Sequence, residues 1–146
     1  MQPSLPPKFL PAVLAGSFCQ LAKEIPANWH LGLAKLLTSS NFATQLLSAK
    51  PSLLSFLIHF AEVEKKLNKA DYTSWLAKLL PSPQEITSED ELHLQLRLAR
   101  QKAMLRLLWR DAQHPGNSNQ AWQTCAEISY LAEELINFSL NWLENH

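Results

Sequence analysis

The sequence predicts an all-α fold: a helical bundle of about seven helices that ends in two long antiparallel ones. Three observations carry this. Leu, Ala, Lys, Glu and Gln dominate the composition and there are only three glycines, a balance that favours helix over strand. Apolar residues recur three and four positions apart in every segment, and none alternates as a half-buried strand does. Prolines and capping residues cut the chain into helix-sized pieces. With 146 residues, 47% of them apolar, the chain is long enough for one domain with a real core, spanning 1–146.

The first residues, with Pro3, Pro6 and Pro7, read as an extended arm. Pro11 suits the first turn of an opening helix, because its missing N–H has no partner there anyway. Val13, Leu14, Phe18, Leu21 and Ala22 keep helical spacing to about Lys23, and Pro26 ends the run. The apolar stretch Phe9–Gly16 hints at a leader, but only Lys8 precedes it as a basic residue and Pro11 interrupts it, so a helix is the expectation. Asn28 can cap a second helix carrying Trp29, Leu33, Leu36 and Leu37. Ser39 or Ser40 caps a third with Phe42, Ala43, Leu46 and Leu47. Ser52 opens a fourth that runs from Leu53 to Leu67, and Asp71 caps a fifth with Tyr72, Trp75, Leu76, Leu79 and Leu80.

Pro81 and Pro83 enclose a short linker, which reads as a bend within the domain. Ser88 followed by Glu91 is a capping box, and Glu89 and Asp90 favour the positive end of the helix dipole. The long helix that follows is predicted over Ser88–Gln113. After a Pro-Gly break, Asn117 or Ser118 caps the last one, Ser118–Asn145. Its apolar face is expected to hold Trp122, Cys125, Ala126, Ser129, Ala132, Leu135, Ile136, Ser139 and Trp142.

Within the first long helix, Leu96–Asp111 (LRLARQKAMLRLLWRD) is the most informative stretch. At about 100° per residue, Leu92, Leu96, Ala99, Ala103 and Leu107 share one arc, while Leu94, Leu98, Leu105, Leu108 and Trp109 share another. Arg97, Arg100 and Met104 fill one gap between the arcs; Lys102 and Arg106 fill the other. Two apolar arcs belong to a helix with neighbours on both sides.

Little in the composition points to chemistry. Net charge is zero, so no overall field draws the chain to nucleic acid or an anionic membrane. No run reaches the ~18–20 apolar residues of a membrane span. Cys19 and Cys125 form no metal spacing and read as reduced thiols of a cytoplasmic protein. His30, His59, His93, His114 and His146 show no ligand spacing. The carboxylate pairs Glu62/Glu64 and Glu89/Glu91 point different ways on a helix, and Glu133/Glu134 are adjacent. Arg97, Arg100, Lys102, Arg106 and Arg110 form the one basic cluster. Their aliphatic stems are expected to cover the helix and their charges to meet acidic neighbours. Trp29, Trp75, Trp109, Trp122 and Trp142 are expected to pack in the core. No catalytic, cofactor-binding or metal-binding residue is assigned.

The same basic stretch resembles the arginine-rich helix that precedes the nucleotidyltransferase fold in glutamine synthetase adenylyltransferases, the bifunctional enzymes that add AMP to glutamine synthetase and remove it. Arg97, Arg100, Met104, Arg106, Trp109, Arg110 and Asp111 fall on matching positions; Ala99 stands where the family has an aromatic residue and Gln101 where it has an arginine. Leu36–Leu57 is similar to the family's early segment and Ile128–His146 to the helix that follows, so the resemblance runs from about Leu36 to the end. It implies the N-terminal helical region of such an enzyme, a truncated fragment that regulates nitrogen assimilation, with glutamine synthetase and the PII signalling protein as partners. The family's ATP and Mg²⁺ are held by a G-x-G-K-L-G turn and an S-D-x-D motif. Neither occurs here, and Asp71, Asp90 and Asp111 each stand alone. The chain alone is therefore expected to be inactive and to hold no cofactor. The resemblance also implies that an apolar strip is left uncovered, either at Leu94, Leu98, Leu105 and Trp109 or at Phe138, Trp142 and Leu143, with self-association or binding of a hydrophobic dye as the consequence; the alternative is a bundle that closes on itself and buries both arcs. The alternative reading is a stand-alone helical interaction module with no enzymatic role.

Overall fold

The computed structural model describes residues 6–146. The segment predicted as an arm lies partly outside them, Pro3 included. Seven α-helices and two single 3₁₀ turns account for the regular structure, and no strand occurs among the described residues. They are α1 (Ala12–Ala22), α2 (His30–Ser39), α3 (Asn41–Ala49), α4 (Leu53–His59), α5 (Lys69–Ala77), α6 (Glu89–Gln113) and α7 (Ser118–Glu144), with the 3₁₀ turns at Ala27–Trp29 and Pro83–Glu85. The fold is all-α, as the periodicity predicts.

The chain forms two compact units. One holds the residues up to Glu64 together with Leu105–Gly116; the other holds Lys65–Met104 and Asn117–His146. Helix α6 contributes its longer part to the second unit and its last turns to the first.

In the first unit, α1, α2 and α3 pack on one another. Phe18, Leu33, Leu36, Leu37, Leu47, Leu54, Leu57 and Leu105 are fully buried there. Ser40 caps α3, its Oγ accepting from the Ala43 N–H at 3.1 Å. Thr44 is buried without cost to its hydroxyl, whose single proton is shared between the Leu37 and Ser40 carbonyls. Two expectations change. Asn28 caps nothing: it sits inside the 3₁₀ turn, and α2 starts at His30 without a side-chain cap. His30 supports the junction instead. Its Nε2 lies 2.8 Å from the Ala22 carbonyl, so it carries the proton and donates to the end of α1. Helix α4 stops at His59 rather than near Leu67. The Phe60 and Ala61 N–H groups both close on the Phe56 carbonyl, and Glu62 then turns left-handed at φ 50°.

In the second unit, α5 packs along α7. Asn68, not Asp71, caps α5: its Oδ1 accepts from the Asp71 N–H at 2.8 Å. Asp71 falls in the first turn, where its charge still suits the helix dipole. The linker between α5 and α6 folds back so that Ile86 is buried against Leu92 of α6 and Trp142 of α7. Leu96 and Phe138 pack on the same cluster. The start of α6 thus meets the end of α7, as antiparallel neighbours do. Ser88 caps α6 through its Oγ and the Glu91 N–H at 3.2 Å. The returning arm of the box is shifted by one residue, since the Glu91 carboxylate accepts from the Thr87 N–H and hydroxyl. Gly116 takes φ 77° in the break before α7, and Asn117 caps α7 by accepting from the Gln120 N–H.

The two-arc reading of α6 holds for part of its length. Leu92, Ala99, Ala103 and Leu107 of the first arc are buried, as are Leu105 and Trp109 of the second, but Leu94 is exposed. The expected face of α7 is the larger correction. Trp122, Cys125, Ser129, Ala132 and Ile136 lie on the solvent side, and Trp142 alone of the tryptophans on this helix is buried. No described helix is long and apolar enough to cross a membrane.

Candidate functional site

The basic stretch of α6 divides by depth. Arg97 and Arg100 are exposed, Lys102 is half-buried, and Arg106 and Arg110 are buried. Arg106 has no accessible surface at all. Its Nε donates to the Ala61 carbonyl at 2.8 Å and its Nη2 to the Glu62 carbonyl at 3.3 Å. A planar fork with several donors suits two successive carbonyls in a way that a point-charge ammonium does not. The expected acidic neighbour is thus replaced, at these two atoms, by backbone oxygen: Arg106 closes the left-handed turn that ends α4.

One turn further on, Trp109 lies over α2. Its ring centroid is 5.1 Å from that of Trp29, with the planes tilted by 44°. Gly32 makes the approach possible, for a Cβ at this position would stand 2.5 Å from Trp109 Cζ2 and 2.7 Å from Cη2. Gln113 then donates to the Gly32 carbonyl at 3.1 Å. Replacing Gly32 with alanine sets two effects against each other. Helix propensity favours alanine by up to ~1 kcal/mol. Displacing a packed indole costs about 1–3 kcal/mol. The second term wins, so Gly32→Ala is expected to lower the urea midpoint, and a raised midpoint would show that Trp109 yields freely.

The second unit carries polar pairs and a cleft between α5 and α7. Lys69 Nζ and Glu133 Oε1 form an ion pair at 2.8 Å, and Thr73 Oγ1 donates to Glu134 at 2.9 Å. The hydrogen bond and charge of Glu133 hold the Lys69 ammonium charged above the usual lysine range. Stability from this pair is present at neutral pH and is lost only as pH rises through the raised value. Both partners are exposed, so screening keeps it small. The cleft, of about 400 Å³, has Leu76, Leu80, Pro81 and Phe138 as its apolar floor and Asn137, Asn141 and Glu134 on its rim. Deeper on α7, Glu127 is fully buried and accepts from Gln123 Nε2, which also donates to the Leu67 carbonyl.

The carboxylate pairs do not become dyads. Glu91 caps α6, and Glu133 and Glu134 serve different partners on α5. No three His, Cys, Asp or Glu side chains gather as metal ligands among the described residues. Both cysteines are exposed. Buried Glu127, and Gly32 as the seat of Trp109, escape a reading of the sequence. A lone Glu between Ala126 and Ile128 and a glycine inside a helix carry no spacing signal; Gly32 stands out only by its place on an apolar face.

Comparison with known proteins completes the description of this surface. The family model described as glutamate-ammonia ligase adenylyltransferase matches residues 31–146, from α2 to the last residue. The chain is similar to the bifunctional glutamine synthetase adenylyltransferase/adenylyl-removing enzyme of Psychromonas ingrahamii, with 32% identity over 115 residues, which covers 78% of this chain and 11% of that protein. Against the enzyme of the same description from Pseudomonas putida, identity is 30% over 105 residues, covering 72% of this chain and 10% of the relative. Against that of Hahella chejuensis it is 26% over 129 residues, covering 86% and 13%. The chain spans about a tenth of the length of these curated relatives. No solved structure matches it.

Proposed function

The chain belongs to the glutamate-ammonia ligase adenylyltransferase family, and we propose that it is a helical, non-catalytic segment of an enzyme that adenylylates and deadenylylates glutamine synthetase. The observation that carries this is the α2–α7 match together with what the matched residues do. Arg106, Trp109 and Gln113 are spent on holding α4 and α2 in place. Glutamine synthetase and the PII signalling protein are the proposed partners, nitrogen assimilation the proposed context and the cytoplasm the proposed location.

ATP and Mg²⁺, which the resemblance implies for the family, do not fit the residues present. Gly16, Gly32 and Gly116 lie far apart in sequence and build no phosphate loop, and the three aspartates stand alone. No step of nucleotidyl transfer is assigned to this chain. Incubation of the purified chain with adenylylated glutamine synthetase, phosphate and Mg²⁺ tests the reading. The expected result is no ADP above background; ADP release would show that these helices carry a complete phosphorolytic site.

A further inference from the structure

Helix α7 has a second apolar face that nothing among the described residues covers. Trp122 is 77% exposed, Ile136 59%, Leu140 51% and Leu143 55%. Trp122, Ile136 and Leu143 lie on a seam that repeats every seven residues, and Leu140 flanks it. Trp122, Ser129, Ile136 and Leu143 form one row; Cys125, Ala132 and Ser139, all small, form the other. This three-four alternation is the spacing with which two helices wind about each other.

We propose that this face pairs with the same face of a second copy of the chain, the two α7 helices running antiparallel about a two-fold axis near Tyr130 and Leu131. Packing decides the direction. In the antiparallel register Trp122 lies opposite Ser139 of the partner subunit, Ile136 opposite the partner's Cys125, and Ser129 opposite the partner's Ala132. The outer layers set Trp122 and Ile136 against small residues, the central Ser129 and Ala132 let the two backbones approach closely, and the two-fold repeats the pattern. A parallel pair would set indole against indole in one layer and leave small against small in the next, at a cost in voids.

Three features suit the face to burial. No charged residue lies on either row. The nearest, Glu133, is already ion-paired with Lys69. The two serines keep their hydroxyls satisfied within their own helix, Ser129 donating to the Cys125 carbonyl and Ser139 to that of Leu135, so pairing strands no donor. The strip is also of useful size. Its four large side chains are each more than half exposed, about 600 Å² at the upper end of what a monomer leaves contiguous, so that two copies together reach the low end of the ~1,200–2,000 Å² of a specific interface.

The 146-residue chain is expected to sediment as a dimer at high concentration and as a monomer when dilute. Ile136→Asp, at an exposed position, should shift the equilibrium to monomer with an unchanged urea midpoint measured on dilute protein. Disulfide trapping reads the register. In a Cys19→Ser background, Ile136→Cys should form a covalent dimer through the partner's Cys125, and Cys19→Ser alone should not. A monomer at all concentrations up to about 1 mM would overturn the proposal, and would mean that another segment or protein covers the strip. A dimer indifferent to Ile136→Asp would overturn it too. Cross-linking of Cys19→Ser alone, Cys125 to Cys125, would refute the antiparallel register.

Discussion

Arg106→Ala is expected to remove about 3–5 kcal/mol of stability, because two buried carbonyls lose their donor and a large buried side chain is emptied out. The Ala61 and Glu62 carbonyls would lose their donor inside the first unit, and the guanidinium stem would leave a void. Against a total of roughly 5–15 kcal/mol for a domain of this size, such a loss brings the unit near its melting point under mild conditions. Two milder variants separate the causes. Arg106→Met keeps the stem and loses the donors. Arg106→Lys keeps the charge and one donor group but not the planar fork. Alanine is expected to be worst, and urea titration followed by circular dichroism ranks the three. A loss under ~1 kcal/mol for alanine would mean that the turn at Glu62 holds itself.

This role of Arg106 illustrates what a sequence conceals. Two of its partners are backbone oxygens at residues 61 and 62, and a carbonyl has no letter in the sequence. A reader counting side chains looks for a carboxylate instead. The end of α4 is hidden for the same reason. Helical spacing continues to Leu67, no glycine or proline interrupts it, and the stop is imposed by a left-handed Glu62 under a distant arginine. Where a terminus is written in local side chains, it is legible to within a residue: Ser88 caps the helix the sequence assigns to it, and Ser40 and Asn117 are the members of the Ser39/Ser40 and Asn117/Ser118 pairs that cap theirs. Asn68 is missed because Asp71, three positions on, is an equally good capping type, and the apolar run begins just after both.

Replacing Trp142 with alanine is expected to cost about 3–5 kcal/mol, and replacing Trp122 about 0.5 kcal/mol or less on dilute protein. The two tryptophans share α7 and the same residue type, so the contrast isolates position. Trp142 is 5% exposed, packs with Ile86 and Leu92, and donates from Nε1 to the Ile86 carbonyl at 3.0 Å. Alanine there empties a large core site and leaves a buried acceptor unpaired. Trp122 leaves only water behind. Periodicity alone cannot separate them, because α7 is apolar on two sides and a spacing rule finds both without saying which one faces the core. The expectation that Trp142 lies on an uncovered strip is corrected here: of Phe138, Trp142 and Leu143, only Leu143 is exposed. Fluorescence checks the assignment directly. Removing Trp122 should delete a red-shifted, readily quenched component and leave the unfolding midpoint in place. Equal destabilisation by both variants would mean that the outer face of α7 is covered in the isolated chain.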